Sequence, residues 1–172
     1  MKMAKKFLAV ALAGVLALSV LTGCGDSTNT KSIAEAMSDM GQVTDGLTFK
    51  EDTKLNTKAK KIVEVLADDV IAELDHEDLT DEQKETIMTI MESYNEKFVW
   101  VSVTETKGNS ATAQALNLID NLTYVHGPKG KEYAKTWYIG TTTVTRDGTT
   151  YRFAVFTAEA QTPDGGDKVE KK

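Results

Sequence analysis

The chain has 172 residues, of which 20 are Lys or Arg and 26 are Asp or Glu, for a formal net charge of −6. That acidic balance argues against nucleic acid or an anionic lipid face as a partner, since both would repel it. One cysteine, Cys24, cannot close an internal disulfide or build a cysteine metal site, so stability must come from packing.

The first residues carry a targeting pattern. Lys2, Lys5 and Lys6 form a positive n-region, and Phe7 to Val20 is a nearly unbroken run of Phe, Leu, Ala, Val and Gly. This is the layout of a secretory signal peptide. The run is shorter than the ~20 residues a permanent membrane-crossing helix needs, so export and cleavage are expected. Leu21-Thr22-Gly23-Cys24 resembles the lipobox of bacterial lipoproteins. The resemblance implies cleavage before Cys24, a diacylglyceryl thioether on its sulfur, and a protein anchored on the extracytoplasmic face of the cell membrane. Two or more acyl chains make such an anchor stable. A plain secreted protein cut elsewhere is less favoured, because the sole cysteine falls where the lipobox needs it. Residues 1–23 would leave with three lysines and no acid, so the remaining 149 residues carry 17 basic against 26 acidic groups. That length suits a single domain. Residues 24–31 comprise the lipidated Cys24 and a small, polar run that reads as a flexible tether.

The domain itself is expected over 32–161. Ile33, Met37 and Met40 recur at helical spacing, with Gly41 as a stop. Residues 42–52 read as a connecting loop with Leu47 and Phe49 as apolar anchors. A second helix is marked by Ala59, Ile62, Val63, Leu66, Val70, Ile71 and Leu74, with charged residues on its opposite side. Thr80 and Gln83 form a capping box for a third helix, which carries Ile87, Met91, Tyr94 and Phe98. The period then changes: Phe98 to Thr104 is β-branched and aromatic at both parities, as in a strand covered on both faces. From Ala111 to Val125 the apolar positions fit a fourth helix, with a strand returning from a Gly108-Asn109 hairpin as the competing assignment. His126 to Lys131 reads as a basic loop. Strands at Thr136–Thr145 and Thr150–Ala160 follow, joined through Asp147-Gly148, a hairpin signal. Residues 162–172 read as a disordered tail. The fold class implied is α+β, with helices packed on a small antiparallel sheet.

Motifs that carry chemistry are few. The acidic stretch Asp75 to Glu82 fails as an EF-hand, since the sixth position needs glycine and is Thr80. Gly127 to Lys131 lacks the spacing and the Ser or Thr of a phosphate loop. No Gly-x-Ser-x-Gly elbow, His-Glu-x-x-His pair or dinucleotide fingerprint is present. Carboxylate pairs such as Asp68-Asp69 and Glu77-Asp78 suit solvated helix ends. His76 and His126 are the only histidines; two ligands fall short of a zinc site, and each is more often a surface or capping residue. Trp100, Trp137, Tyr138 and Tyr151 could line an aromatic binding surface, although strand residues of this type more often pack in a core.

The order helix, strand, helix, strand, strand in the C-terminal part, with Ile139-Gly140 in one strand and Tyr151 to Phe156 in the last, resembles the CAP (SCP-like) family. Gly46-Leu47-Thr48-Phe49 followed by Leu55 and Ala59 is similar to that family's approach to its first long helix. The resemblance implies an α-β-α sandwich of CAP-like type and a cleft in which His76, Glu105 and His126 hold a divalent metal. The family's Gly-Glu-Asn motif is Thr104-Glu105-Thr106 here, and its Ser-Pro-Gly-His-Arg run is Thr123-Tyr124-Val125-His126-Gly127. The favoured expectation is a non-enzymatic binding or interaction domain that needs no cofactor. Its partners would be the membrane, through the lipid anchor, and an envelope protein or small ligand, not nucleic acid. A metal-binding protein or metal-dependent enzyme using the three CAP-like residues is the alternative, and a purely structural spacer the third.

Overall fold

The computed structural model describes residues 28–40, 46–67, 70–71, 74 and 79–163. The expected signal peptide 1–23, the lipidation residue Cys24, His76 and residues 164–172 lie outside the described residues. In chain order the elements are α1 (Thr30–Asp39), β1 (Thr48–Glu51), α2 (Thr53–Val65), α3 (Asp81–Ile90), a 3-10 turn (Glu92–Tyr94), β2 (Lys97–Glu105), α4 (Ala111–Asp120), β3 (Thr123–His126), β4 (Glu132–Arg146) and β5 (Thr149–Gln161). The fold is α+β. Its single described sheet has five strands in the order β1-β4-β5-β2-β3.

The sheet is mixed where an antiparallel one was expected: β1 runs parallel to β4, and all other neighbours are antiparallel. Residues expected as a loop thus include a strand. Four residues are too few to signal a strand alone, and β1 exists because β4 offers a row of free backbone groups beside it. β3 likewise replaces the last turn expected of the fourth helix, which ends at Asp120. Thr123, Tyr124 and Val125 are β-branched or aromatic and pair with β2, an outcome that periodicity across 111–125 conceals.

Helix ends follow local chemistry. Thr80 N–H donates to Gln83 Oε1 at 2.7 Å and Gln83 N–H to Thr80 Oγ1 at 3.3 Å, the reciprocal box read from sequence. An equivalent box joins Asn29 and Ser32, so α1 starts inside the segment expected as tether. α2 ends at Val65 with its cap Leu66 extended, although Leu66, Ile71 and Leu74 still bury in the same core. α3 stops at Ile90, and Phe98 belongs to β2.

Helices cover both faces of the sheet. On one, α2 and α3 set Leu55, Ile62, Ile87 and Met91 against Val99, Val101, Val103, Phe153 and Val155. On the other, α1 and α4 set Ile33, Met37 and Leu118 against Trp100, Trp137, Ile139 and Phe156. Each such side chain, fully buried, contributes ~1.5–3 kcal/mol. Two covered faces explain why β2 and β5 are apolar at both parities. Gly140 lets α2 press onto β4: a Cβ there would collide with the backbone of Leu55 and Asn56.

Candidate functional site

Of the three residues singled out for a metal, His76 lies outside the described residues, and the other two, Glu105 and His126, are not brought together. Glu105 lies opposite Tyr151 at the C-terminal end of β2, whereas His126 lies opposite Val99 near its N-terminal end. Six residues of strand separate the two positions, ~20 Å at the usual rise. One ion with ~2.0–2.2 Å bonds cannot reach both. His126 Nε2 is 2.9 Å from the Asn95 carbonyl oxygen, which can only accept, so that nitrogen carries the proton and is turned away from ligation. Among the described residues, no group of three or more His, Cys, Asp or Glu could hold a metal ion.

What the His126 end of the sheet does assemble is a block of aromatic rings. Phe98 and Trp137 both flank Ala158 on the intervening strand β5. The small Ala158 side chain leaves room for aromatic rings from β2 and β4 to meet above it, and Trp100 stacks on Trp137 with centroids 4.1 Å apart and planes 16° apart. Phe98 stacks on Trp100 at 5.6 Å. Tyr133 stands edge-on to Phe98, Trp100 and Trp137 at 5.9, 5.5 and 5.3 Å, and Tyr124 meets Trp100 at 6.3 Å. Edge-to-face and offset pairs of this kind contribute ~0.5–1.5 kcal/mol each beyond area burial.

The block has a buried floor and an open rim. Trp137 and Trp100 are 3% and 8% exposed, while Tyr133 and Tyr124 are 42% and 49% exposed. Trp137 Nε1 is buried with no hydrogen-bond partner among the described residues. Burial also pushes the Tyr124 hydroxyl above the ordinary tyrosine range, so it stays a neutral donor at physiological pH. Gly127 completes the rim by absence of a side chain, since a Cβ would strike the Phe98 ring and the Tyr124 hydroxyl. Of the four aromatics considered from sequence, Trp100 and Trp137 are the floor. Tyr138 and Tyr151 pack on the opposite face, against the α2 and α3 core. Phe98, Tyr124, Tyr133 and Gly127 were missed. The available signal was the pairing of Tyr133 and Trp137 on one side of a strand with alternating small residues, Ala158 and Ala160, on its neighbour.

The opposite end of the same face is polar. Arg152, 6% exposed, donates from Nε to Gln114 Oε1 at 2.7 Å, from Nη1 to Thr141 Oγ1 at 3.0 Å and from Nη2 to the Thr28 carbonyl oxygen at 2.7 Å. Every acceptor is neutral, and burial lowers the Arg152 pKa from its usual value. Thr30 Oγ1 lies 2.8 Å from Thr141 Oγ1 and donates to Asn56 Oδ1 at 3.0 Å. Asn56 Oδ1 also accepts from Thr141 N–H at 2.8 Å, taking the place of β1 where that strand has ended. The Ser102 hydroxyl, fully buried on this face, finds no partner among the described residues.

No protein-family model matches the chain, and no curated protein or solved structure matches it either. No described helix is long and apolar enough to cross a membrane.

Proposed function

We propose that this chain is a lipid-anchored extracytoplasmic domain that binds a component of the cell envelope through the rim formed by Tyr124 and Tyr133. The observation that carries the binding reading is the combination of two half-exposed tyrosines with a rigid, buried tryptophan pair beneath them. Tyr and Trp supply large contact area at low conformational cost, and solvent-exposed rings resting on a fixed floor lose little entropy when a partner covers them. The Leu21-Thr22-Gly23-Cys24 pattern supports the anchor, with Cys24 carrying the lipid. Tethering raises local concentration, so a modest contact at the rim suffices. The CAP-like likeness enters this reading only as a shared layer order, helices on both faces of a sheet; the distance between Glu105 and His126 gives its metal cleft no support.

The test is photo-crosslinking from position 133 in intact envelopes. A recurrent adduct that disappears on Tyr124→Ala supports the rim as a binding surface. Absence of any adduct, or measurable turnover of a peptide or glycan substrate by the protein, overturns the non-enzymatic binding reading.

A further inference from the structure

The two ends of the α1 and α4 face differ in how far each can stand from the lipid. Thr28, whose carbonyl oxygen accepts from Arg152 Nη2, is four Cα steps from Cys24. Four steps span at most ~14 Å whatever their conformation. Thr28 is therefore a short-range connection between the anchor point and the central strand of the sheet. Arg152 lies near the start of β5, beside the β4–β5 hairpin, while Tyr133 lies opposite Ala160, eight residues further along. At the usual strand rise those eight residues cover ~27 Å.

We infer that Arg152 acts as a latch that keeps the hairpin end of the sheet against the lipid surface and leaves the aromatic rim as the outward end. This rests on the reading that Cys24 bears the lipid. The latch has three supports. The guanidinium fork grips Thr28 while Gln114 of α4 and Thr141 of β4 fix its other two nitrogens. Thr30 is tied to Asn56 and Thr141, so the first turn of α1 is held at the same end. Ile33 and Met37, both fully buried, resist peeling of the rest of α1. Were α1 to detach, the chain from Cys24 to Thr48 would be 24 steps, with a reach of ~80 Å, and either end of the domain could approach the bilayer. Arg152 is thus a positioning residue for the rim: it decides which surface the anchored domain presents.

The test uses the full chain, lipidated and reconstituted in phosphatidylcholine vesicles that carry a headgroup-linked fluorescence acceptor. Because Cys24 is the only cysteine, Lys107→Cys and Lys129→Cys each offer a single thiol for a donor dye, one beside the hairpin end and one beside the rim. Energy transfer is expected to be roughly twofold or more stronger from position 107 than from 129, as the ~27 Å separation along the strands implies. Inserting a ~12-residue Gly-Ser linker after Gly25 leaves the fold untouched and is expected to abolish the difference. Arg152→Met is expected to reduce it. Equal transfer from both positions in the otherwise unaltered protein, or a difference that survives the linker, overturns the latch. Failure of the unaltered protein to partition with lipid, with Cys24→Ser as the control, overturns the anchor reading and the latch with it.

Discussion

Replacing Arg152 with Met should destabilise the domain by ~2–4 kcal/mol. Three charge-assisted hydrogen bonds disappear, at 2.7, 3.0 and 2.7 Å. Thr141 Oγ1 keeps Thr30 as a neighbour, but Gln114 Oε1 loses the only bond it accepts among the described residues, and Gln114 is 2% exposed. A buried acceptor left unpaired costs ~1–3 kcal/mol. Thr28 also loses its tie to the sheet. Against this, the variant no longer spends free energy desolvating a guanidinium, which holds the net effect below the sum of the lost bonds. Urea unfolding of residues 25–172, followed by tryptophan fluorescence, reports the core directly because the only two tryptophans, Trp100 and Trp137, stack there. For a slope near ~2 kcal/mol/M the midpoint should fall by ~1–2 M at unchanged slope. Arg152→Lys keeps the charge but not the planar fork and should lose at least about half as much. A midpoint equal to or above the parent's for Arg152→Met would refute the argument, showing that a methionine packs there as well as the hydrogen-bonded cation.

Gly140→Ala should cost ~1–3 kcal/mol by forcing α2 away from β4, and an unchanged urea midpoint would show that the helix yields freely. Tyr124→Ala should cost only ~0.5–1.5 kcal/mol, the worth of its one edge-on contact with Trp100, while removing the envelope crosslink from position 133; loss of folding by circular dichroism would show the rim to be structural. Burial raises the Asp120 pKa, so its folded-state value lies above the unfolded one and ionisation opposes folding. That opposition is absent below pH ~4 and sets in as pH rises through the folded value. Asp120→Asn should therefore be more stable than the parent at neutral pH and equal to it in acid, and equal midpoints at pH 7 would refute this. The site at the end of α4 adds to the effect, because a carboxylate there meets the negative end of the helix dipole.

The amino-acid sequence alone determined the features that depend on neighbours along the chain. Thr80 and Gln83 cap α3 because their side chains reach backbone groups three residues away. The hairpin forms at Asp147-Gly148 because both residues take positive φ, 48° and 79°, as a tight two-residue turn requires. The continuous apolar runs of β2 and β5 announced a sheet covered on both sides. Tertiary structure decided the rest. β1 and β3, at four residues each, exist only because β4 and β2 present edges to pair with. Glu105 and His126 looked like partners in a linear comparison, yet pairing register puts Glu105 at one end of β2 and His126, on β3, beside the other. The tryptophan stack depends on Ala158, a residue whose importance lies in the space it leaves between two strands distant in sequence. Arg152, in a strand whose periodicity says only that it faces one side, is buried because Thr28, Gln114 and Thr141 arrive from three other segments to satisfy it. Local hydrogen bonds and side-chain periods are written in adjacent residues, whereas shared acceptors and ring contacts arise only when the sheet brings remote segments together.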